Sequence, residues 1–151
     1  MIAISMPYRN RTWSVLSFNS TLYLYPVLEL LLSHVPERWH GELRLGLQEA
    51  LVNAVKHGNQ LDPDKAIVIH FSESNGEYTW IISDEGEGFS RDSCACNHAE
   101  QMPPSEAENG RGLCLLHAIF DRVHWNAKGT QVELSKQAPR WSFLASEPQI
   151  R

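Results

Sequence analysis

Apolar positions change their spacing along the chain, and each change predicts an element. Thr12-Trp13-Ser14-Val15-Leu16-Ser17-Phe18 alternates and is rich in strand formers, which predicts a strand. Asn19, Ser20 and Thr21 are helix-capping types, and Leu22 to His34 carries apolar residues on most sides, as a well-buried helix does. Leu43, Leu47, Leu51, Ala54 and Val55 then recur at helical intervals of three and four. Pro36 suits a first helical turn, so this second helix is expected from about Val35 to His57, with a bend near Gly41. Gly58-Asn59 would close it, being residue types that accept the left-handed conformation.

Ala66 to Glu73 reads as a strand with Ile67, Ile69 and Phe71 on one face. Ser74-Asn75-Gly76-Glu77 is a hairpin turn, and Tyr78 to Ile82 forms the return strand. Arg91 to Asn109 has no period and holds Pro103-Pro104; a loop of that length is expected to be a lid or binding loop, about residues 89–109. Leu113 to Phe120 reads as an apolar helix opened by Gly110-Arg111-Gly112. Val123 to Ala127 and Thr130 to Leu134 flank Lys128-Gly129 as a second hairpin. The expected organisation is a loose lead-in over residues 1–11, one domain over 12–136, and a tail over 137–151. In that tail Trp141 to Leu144 forms an edge strand or docks on a partner. The order of elements predicts an α+β fold, a two-layer sandwich with helices packed on one face of a mostly antiparallel sheet.

Bulk properties narrow the function. The 151 residues are 42% hydrophobic and 21% charged, ordinary for a soluble globular protein. A net charge of −5 argues against a binder of the nucleic-acid backbone. It leaves room for a small anion held by backbone N–H groups. Three cysteines and no secretion-like leader or membrane-length apolar run lead to the expectation of a cytoplasmic protein.

Chemistry concentrates in three places. Glu49, Asn53 and His57 sit at i, i+4 and i+8 of the second helix, giving a polar stripe that is either a solvated face or one wall of a site. Asp84-x-Gly86-x-Gly88 follows a strand; it is either a plain turn or a carboxylate beside a flat ligand that glycines allow to approach. Gly110-Arg111-Gly112-Leu113 opens a helix, as a hinge or as a phosphate site using backbone N–H groups and the helix dipole. In combination, Asn53 could anchor a magnesium ion and Glu49 could act as general base one turn earlier.

In this order the three segments resemble the N, G1 and G2 boxes of the GHKL ATPase/kinase superfamily, and in detail the anti-sigma-factor serine/threonine kinases. The likeness spans about Thr12 to Lys136. It implies a Bergerat ATP-binding fold with ATP and Mg2+ as cofactors. Glu49 would be the catalytic base and Asn53 the magnesium ligand. Asp84 would accept the adenine amino group, Gly86 and Gly88 would shape its pocket, and Thr130 would lie beneath it. Gly110, Arg111, Gly112 and Leu113 would face the phosphates. Lys56 and His57 occupy positions near the nucleotide, or simply finish the helix. The implied partners are a sigma factor and an antagonist carrying the phosphorylated Ser or Thr, with a homodimer as a further expectation. A nucleotide-dependent switch with little kinase activity is the alternative. The stretch ahead of the second helix reads as a strand and one helix, unlike the dimerisation segment of a histidine kinase. Cys94, Cys96, His98 and Cys114 depart from the family pattern without matching a usual zinc spacing.

Overall fold

Alternation along Ala66–Ser74 sends Ile67, Ile69 and Phe71 to one face, and all three are buried. The antiparallel register sets Phe71 beside Trp80, Ile69 beside Ile82, and those two beside Leu134 and Val132. One face of the sheet therefore becomes a continuous apolar floor. The computed structural model describes residues 2–8, 11–89 and 104–138. Among these, the sheet has six strands: β1 (Ile2–Tyr8), β2 (Arg11–Asn19), β3 (Ala66–Ser74), β4 (Glu77–Ser83), β5 (Arg122–Trp125) and β6 (Gln131–Gln137). Their order is β1-β2-β3-β4-β6-β5, and every neighbouring pair is antiparallel.

Three helices pack on the floor: α1 (Tyr25–Leu32), α2 (His40–Asn53) and α3 (Pro104–Ile119). The apolar set on α2 and its continuation, Leu43, Leu47, Leu51, Ala54 and Val55, is buried. Leu28 and Leu31 of α1 and Leu116 and Ile119 of α3 join it. Trp80 is central, stacked on Phe71 at 5.6 Å and Tyr78 at 6.3 Å, with Phe120 edge-on at 5.9 Å. Such ring pairs contribute about 0.5–1.5 kcal/mol each beyond their area. The result is the α+β two-layer sandwich that the pattern predicts.

Several boundaries differ from expectation. Ile2–Tyr8, within the expected lead-in, is a strand paired with β2 from Ile2↔Ser17 to Tyr8↔Arg11. The second helix begins as a 3-10 turn over Glu37–Trp39, and α proper starts at His40. Past Asn53 it widens into a π turn, Ala54–Gly58, closed by the Asn59 N–H on the Ala54 carbonyl at 2.8 Å. The left-handed residues are Gln60 (φ 54°) and Leu61 (φ 59°), and neither Gly58 nor Asn59 takes that conformation. Most consequential, α3 starts at Pro104, so Gly110 to Leu113 lie inside a helix rather than at its opening. The hairpin at Asn75-Gly76 has positive φ at both residues, 52° and 75°, the type I′ pattern that matches strand twist. Of the expected lid, residues 90–103 lie outside the described residues, as do Trp141, Phe143, Cys94, Cys96 and His98.

Candidate functional site

The π turn carries the end of the second helix onto the exit of β4. There Gly58 lies directly against the Asp84 side chain: a Cβ on Gly58 would sit 2.5–2.7 Å from both carboxylate oxygens. Only a residue without a side chain permits this approach. Gly86 in turn lies against the Gly58 carbonyl, and its N–H donates to Asp84 Oδ1 at 2.8 Å. Asp84 thus leaves its strand into a shelf walled by two glycines.

The shelf is tied down from the far side as well. The Asp84 N–H donates to the Thr130 carbonyl at 3.0 Å, across from the start of β6. Thr130 is itself organised by Asn126, whose Oδ1 accepts the N–H groups of Gly129 (2.8 Å), Thr130 (2.9 Å) and Gln131 (3.3 Å). The Asn126 amide also donates to the Thr130 hydroxyl at 3.2 Å. Gly88 (φ 83°) and Gly129 (φ 78°) hold the two loops in conformations that L side chains rarely adopt. The Phe89 N–H closes the pair on the Lys128 carbonyl at 3.2 Å, and its ring stands edge-on to Trp125 at 4.9 Å.

Burial pushes the Asp84 carboxyl above the usual carboxylate range. The Gly86 N–H, then Lys128 and Lys65, oppose that rise without cancelling it. A half-buried carboxylate with spare acceptor capacity is suited to a ligand N–H.

A separate contact is made from within α2, between two and three turns before Gly58. Glu49, half-buried, lies with its carboxylate against Gly112 of α3, where any Cβ would meet Oε1. Asn53, also half-buried, stands one turn further along. The one helix therefore touches both glycine clusters, Gly112 through Glu49 and Gly86 through Gly58. Lys56 and His57 are exposed within the π turn, where the repeat that would stack His57 over Asn53 no longer holds. Leu113 is half-buried on α3.

Residues 27–136 match the histidine kinase-like ATPase domain. The chain belongs to this family. Its relatives include an anti-sigma F factor of Halalkalibacterium halodurans, 32% identical over 63% of this chain and 67% of that protein. A serine-protein kinase RsbW of Bacillus subtilis is 28% identical over 63% of this chain and 62% of its own length, a little under two thirds. An anti-sigma F factor of a Geobacillus species is 27% identical over 70% of this chain and 74% of that protein.

A histidine kinase-like ATPase domain implies a nucleotide ligand, and the two ends of the site differ in how they fit one. The Asp84 shelf fits a flat base with an outward-facing N–H, because glycines clear its walls and, among the described residues, the carboxylate accepts from the Gly86 N–H alone. The Gly110–Leu113 stretch fits the phosphates less directly, since N–H groups inside a helix are already bonded to carbonyls four residues back. Reading the sequence also misses Gly58, Asn59 and Asn126. Asn126-x-x-Gly129 before a strand is a legible turn signal. The roles of Gly58 and Asn59 depend on residues far away in the chain. No helix among the described residues is long and apolar enough to cross a membrane.

Proposed function

We propose that this protein is an ATP-binding, anti-sigma-type regulator that transfers the γ-phosphate of ATP to a Ser or Thr of an antagonist protein. The observation that supports it most is the double contact of one helix, Glu49 against Gly112 and Gly58 against Asp84. That arrangement aligns a base-recognising carboxylate and a proton acceptor along a single rigid element. Asp84 accepts the adenine amino hydrogen, Gly86 and Gly88 shape the pocket, and Thr130 lies beneath the ring. Asn53 supplies a side-chain oxygen for Mg2+, which suits an ion that keeps most of its waters. Glu49 takes the proton from the attacking hydroxyl as its oxygen bonds to the γ-phosphorus and ADP leaves. Gly110, Arg111, Gly112 and Leu113 contact the phosphates, and Lys56 and His57 border them. A sigma factor and its antagonist, in the cytoplasm, are the proposed partners.

The test has two stages. Calorimetry with ATP and Mg2+ on the full chain should show saturable binding. Incubation with labelled ATP and a Ser-bearing antagonist should then label that protein. No binding of any nucleotide would sink the proposal at its base. A second reading, a nucleotide-dependent binding switch with little phosphotransfer, draws support from the helical state of Gly110–Leu113. Tight ATP binding with no labelling in the presence of partners would select it.

A further inference from the structure

Asn59 is fully buried, 0% exposed, and its amide is used completely. Its Nδ2 donates to Ser20 Oγ at 2.8 Å and to the Ala66 carbonyl at 3.0 Å. Its Oδ1 accepts the Glu85 N–H at 2.7 Å. Both donors and the acceptor have partners of the right kind, so the orientation of the amide is fixed by its surroundings. The Glu85 side chain adds a reciprocal tie, its Oε2 accepting the Ala66 N–H at 2.5 Å. The peptide that follows Asp84 is therefore held to the end of the second helix and to the first residue of β3.

The π turn is what brings Asn59 here. Its closing bond joins Asn59 to Ala54, five residues back. Removing the extra residue to restore an α-helix would turn Asn59 by about 100° around the axis, away from Glu85. The same turn sets Gly58 against the Asp84 carboxylate. Helix widening, the buried amide and the carboxylate shelf thus form one unit.

We propose that Asn59 is a positioning residue for base recognition: through the Glu85 peptide it sets the Asp84 carboxylate to accept the amino hydrogen of adenine and reject guanine. This rests on the nucleotide-binding function proposed above. Adenine presents a donor at the six position, where guanine presents an acceptor oxygen that a carboxylate repels. Discrimination of that kind depends on the carboxylate being held still, because a loose one can turn away from the oxygen.

Binding of ATP and GTP to the full chain, measured by calorimetry, tests it. Asn59→Ala should reduce the preference for ATP over GTP by about tenfold, the equivalent of about 1.4 kcal/mol. Glu85→Ala acts on an exposed side chain, leaves the core filled, and should reduce the preference by about threefold, the smaller effect expected of one lost hydrogen bond. Ser20→Ala removes one acceptor of the Asn59 amide but leaves the Ala66 carbonyl and the Glu85 N–H to orient it, and should lower thermal stability while leaving the preference unchanged. The proposal is overturned if Asn59→Ala keeps the wild-type preference, or, where that variant does not fold, if Glu85→Ala keeps it. It is also overturned if Ser20→Ala lowers the preference as far as Asn59→Ala, since general loosening would then explain both. Wild-type protein that binds neither nucleotide would instead defeat the nucleotide function itself.

Discussion

The two ends of the candidate site, both reached from the second helix, meet the rest of the molecule in different ways. At the Asp84 end the contacts are backbone hydrogen bonds and side-chain amides: Thr130 and the half-buried Asn126 on one side, Gly58 and the buried Asn59 on the other. At the Glu49 end the contact is the tip of a flexible side chain resting on a helical glycine. The first end is rigid before any ligand arrives. The second is in a helical state whose N–H groups are already committed. Phosphate binding by Gly110–Leu113 would have to compete with helix hydrogen bonds. The cost is moderated by sequence, because each glycine weakens a helix by about 0.8–1.0 kcal/mol relative to alanine. Gly110 and Gly112 are thus a built-in weakness where a ligand would need the backbone.

The sharpest way to separate the two ends is to remove a function from each without disturbing the fold. Glu49→Gln should lower phosphotransfer by about 10²–10⁴-fold, the range for loss of a general base, with ATP affinity nearly unchanged. Calorimetry beside a labelling assay reads the two quantities apart, and a parallel fall in affinity would place Glu49 in binding instead. Asp84→Asn should do the converse and weaken ATP binding by about 10–100-fold, as losing a charged hydrogen bond of about 1.5–3 kcal/mol implies.

Asp84→Asn also has a stability signature with a definite sign. The folded state raises the Asp84 pKa, chiefly through burial, so the folded protein holds this proton to higher pH than the unfolded chain. Stability contributed by the neutral carboxyl is full below the usual carboxylate range and is lost as pH rises through the elevated value. The amide cannot ionise. Asp84→Asn should therefore melt higher than wild type at neutral pH, with the gain disappearing as pH falls below the usual carboxylate range. A melting-temperature difference that is flat with pH would show that the carboxylate is effectively solvated.

What was legible in the sequence follows the range of the interactions. The period-two alternation of β3 and the Asn75-Gly76 turn are local signals, and both elements appear where expected. The apolar face from Leu43 to Val55 is buried as its spacing demands. The π turn was not legible, because Ala54 to His57 read as a continuing α-helix and Gly58 reads as its ordinary close. Where the helix widens it meets Asp84, distant in the chain. The early start of α3 was hidden for a related reason: Pro103-Pro104 and scattered small residues look like loop. A proline is tolerated in a first helical turn, however, and Pro104 occupies that place. β1 is hard to read from the sequence because Pro7 argues against a strand, yet an edge strand tolerates a proline, and β1 is the edge of the sheet, paired with β2 from Ile2↔Ser17 to Tyr8↔Arg11. At the candidate site, Gly58 meets Asp84 and Glu49 meets Gly112 through contacts between distant segments, which no local pattern announces.

Gly58→Ala tests the rigid end. The new Cβ would overlap a carboxylate that Gly86 and the strand exit hold in place, so the backbone or Asp84 must shift. Overpacking of this kind costs about 1–3 kcal/mol. Chemical denaturation should show that loss, and ATP affinity should fall with it if the displaced group reads the base as proposed. Unchanged stability would mean that the shelf is softer than its hydrogen bonds suggest.

Gly112→Ala, which introduces the same methyl group at the other end, should have the opposite sign. Its Cβ also overlaps a carboxylate, but the atom in the way is Glu49 Oε1, the far end of a side chain with rotamers to spare. The clash is relieved by rotation, and alanine in a helix interior gains about 0.8–1.0 kcal/mol over glycine. The variant should melt about 2–4 °C higher than wild type. Phosphotransfer should fall, because Glu49 is displaced and the helix is harder to open for the phosphates. The two alanine variants thus turn the comparison into a sign difference in stability. A Gly112→Ala protein destabilised as much as Gly58→Ala would mean that Glu49 is held as firmly as Asp84, and that the end proposed as catalytic is preorganised too.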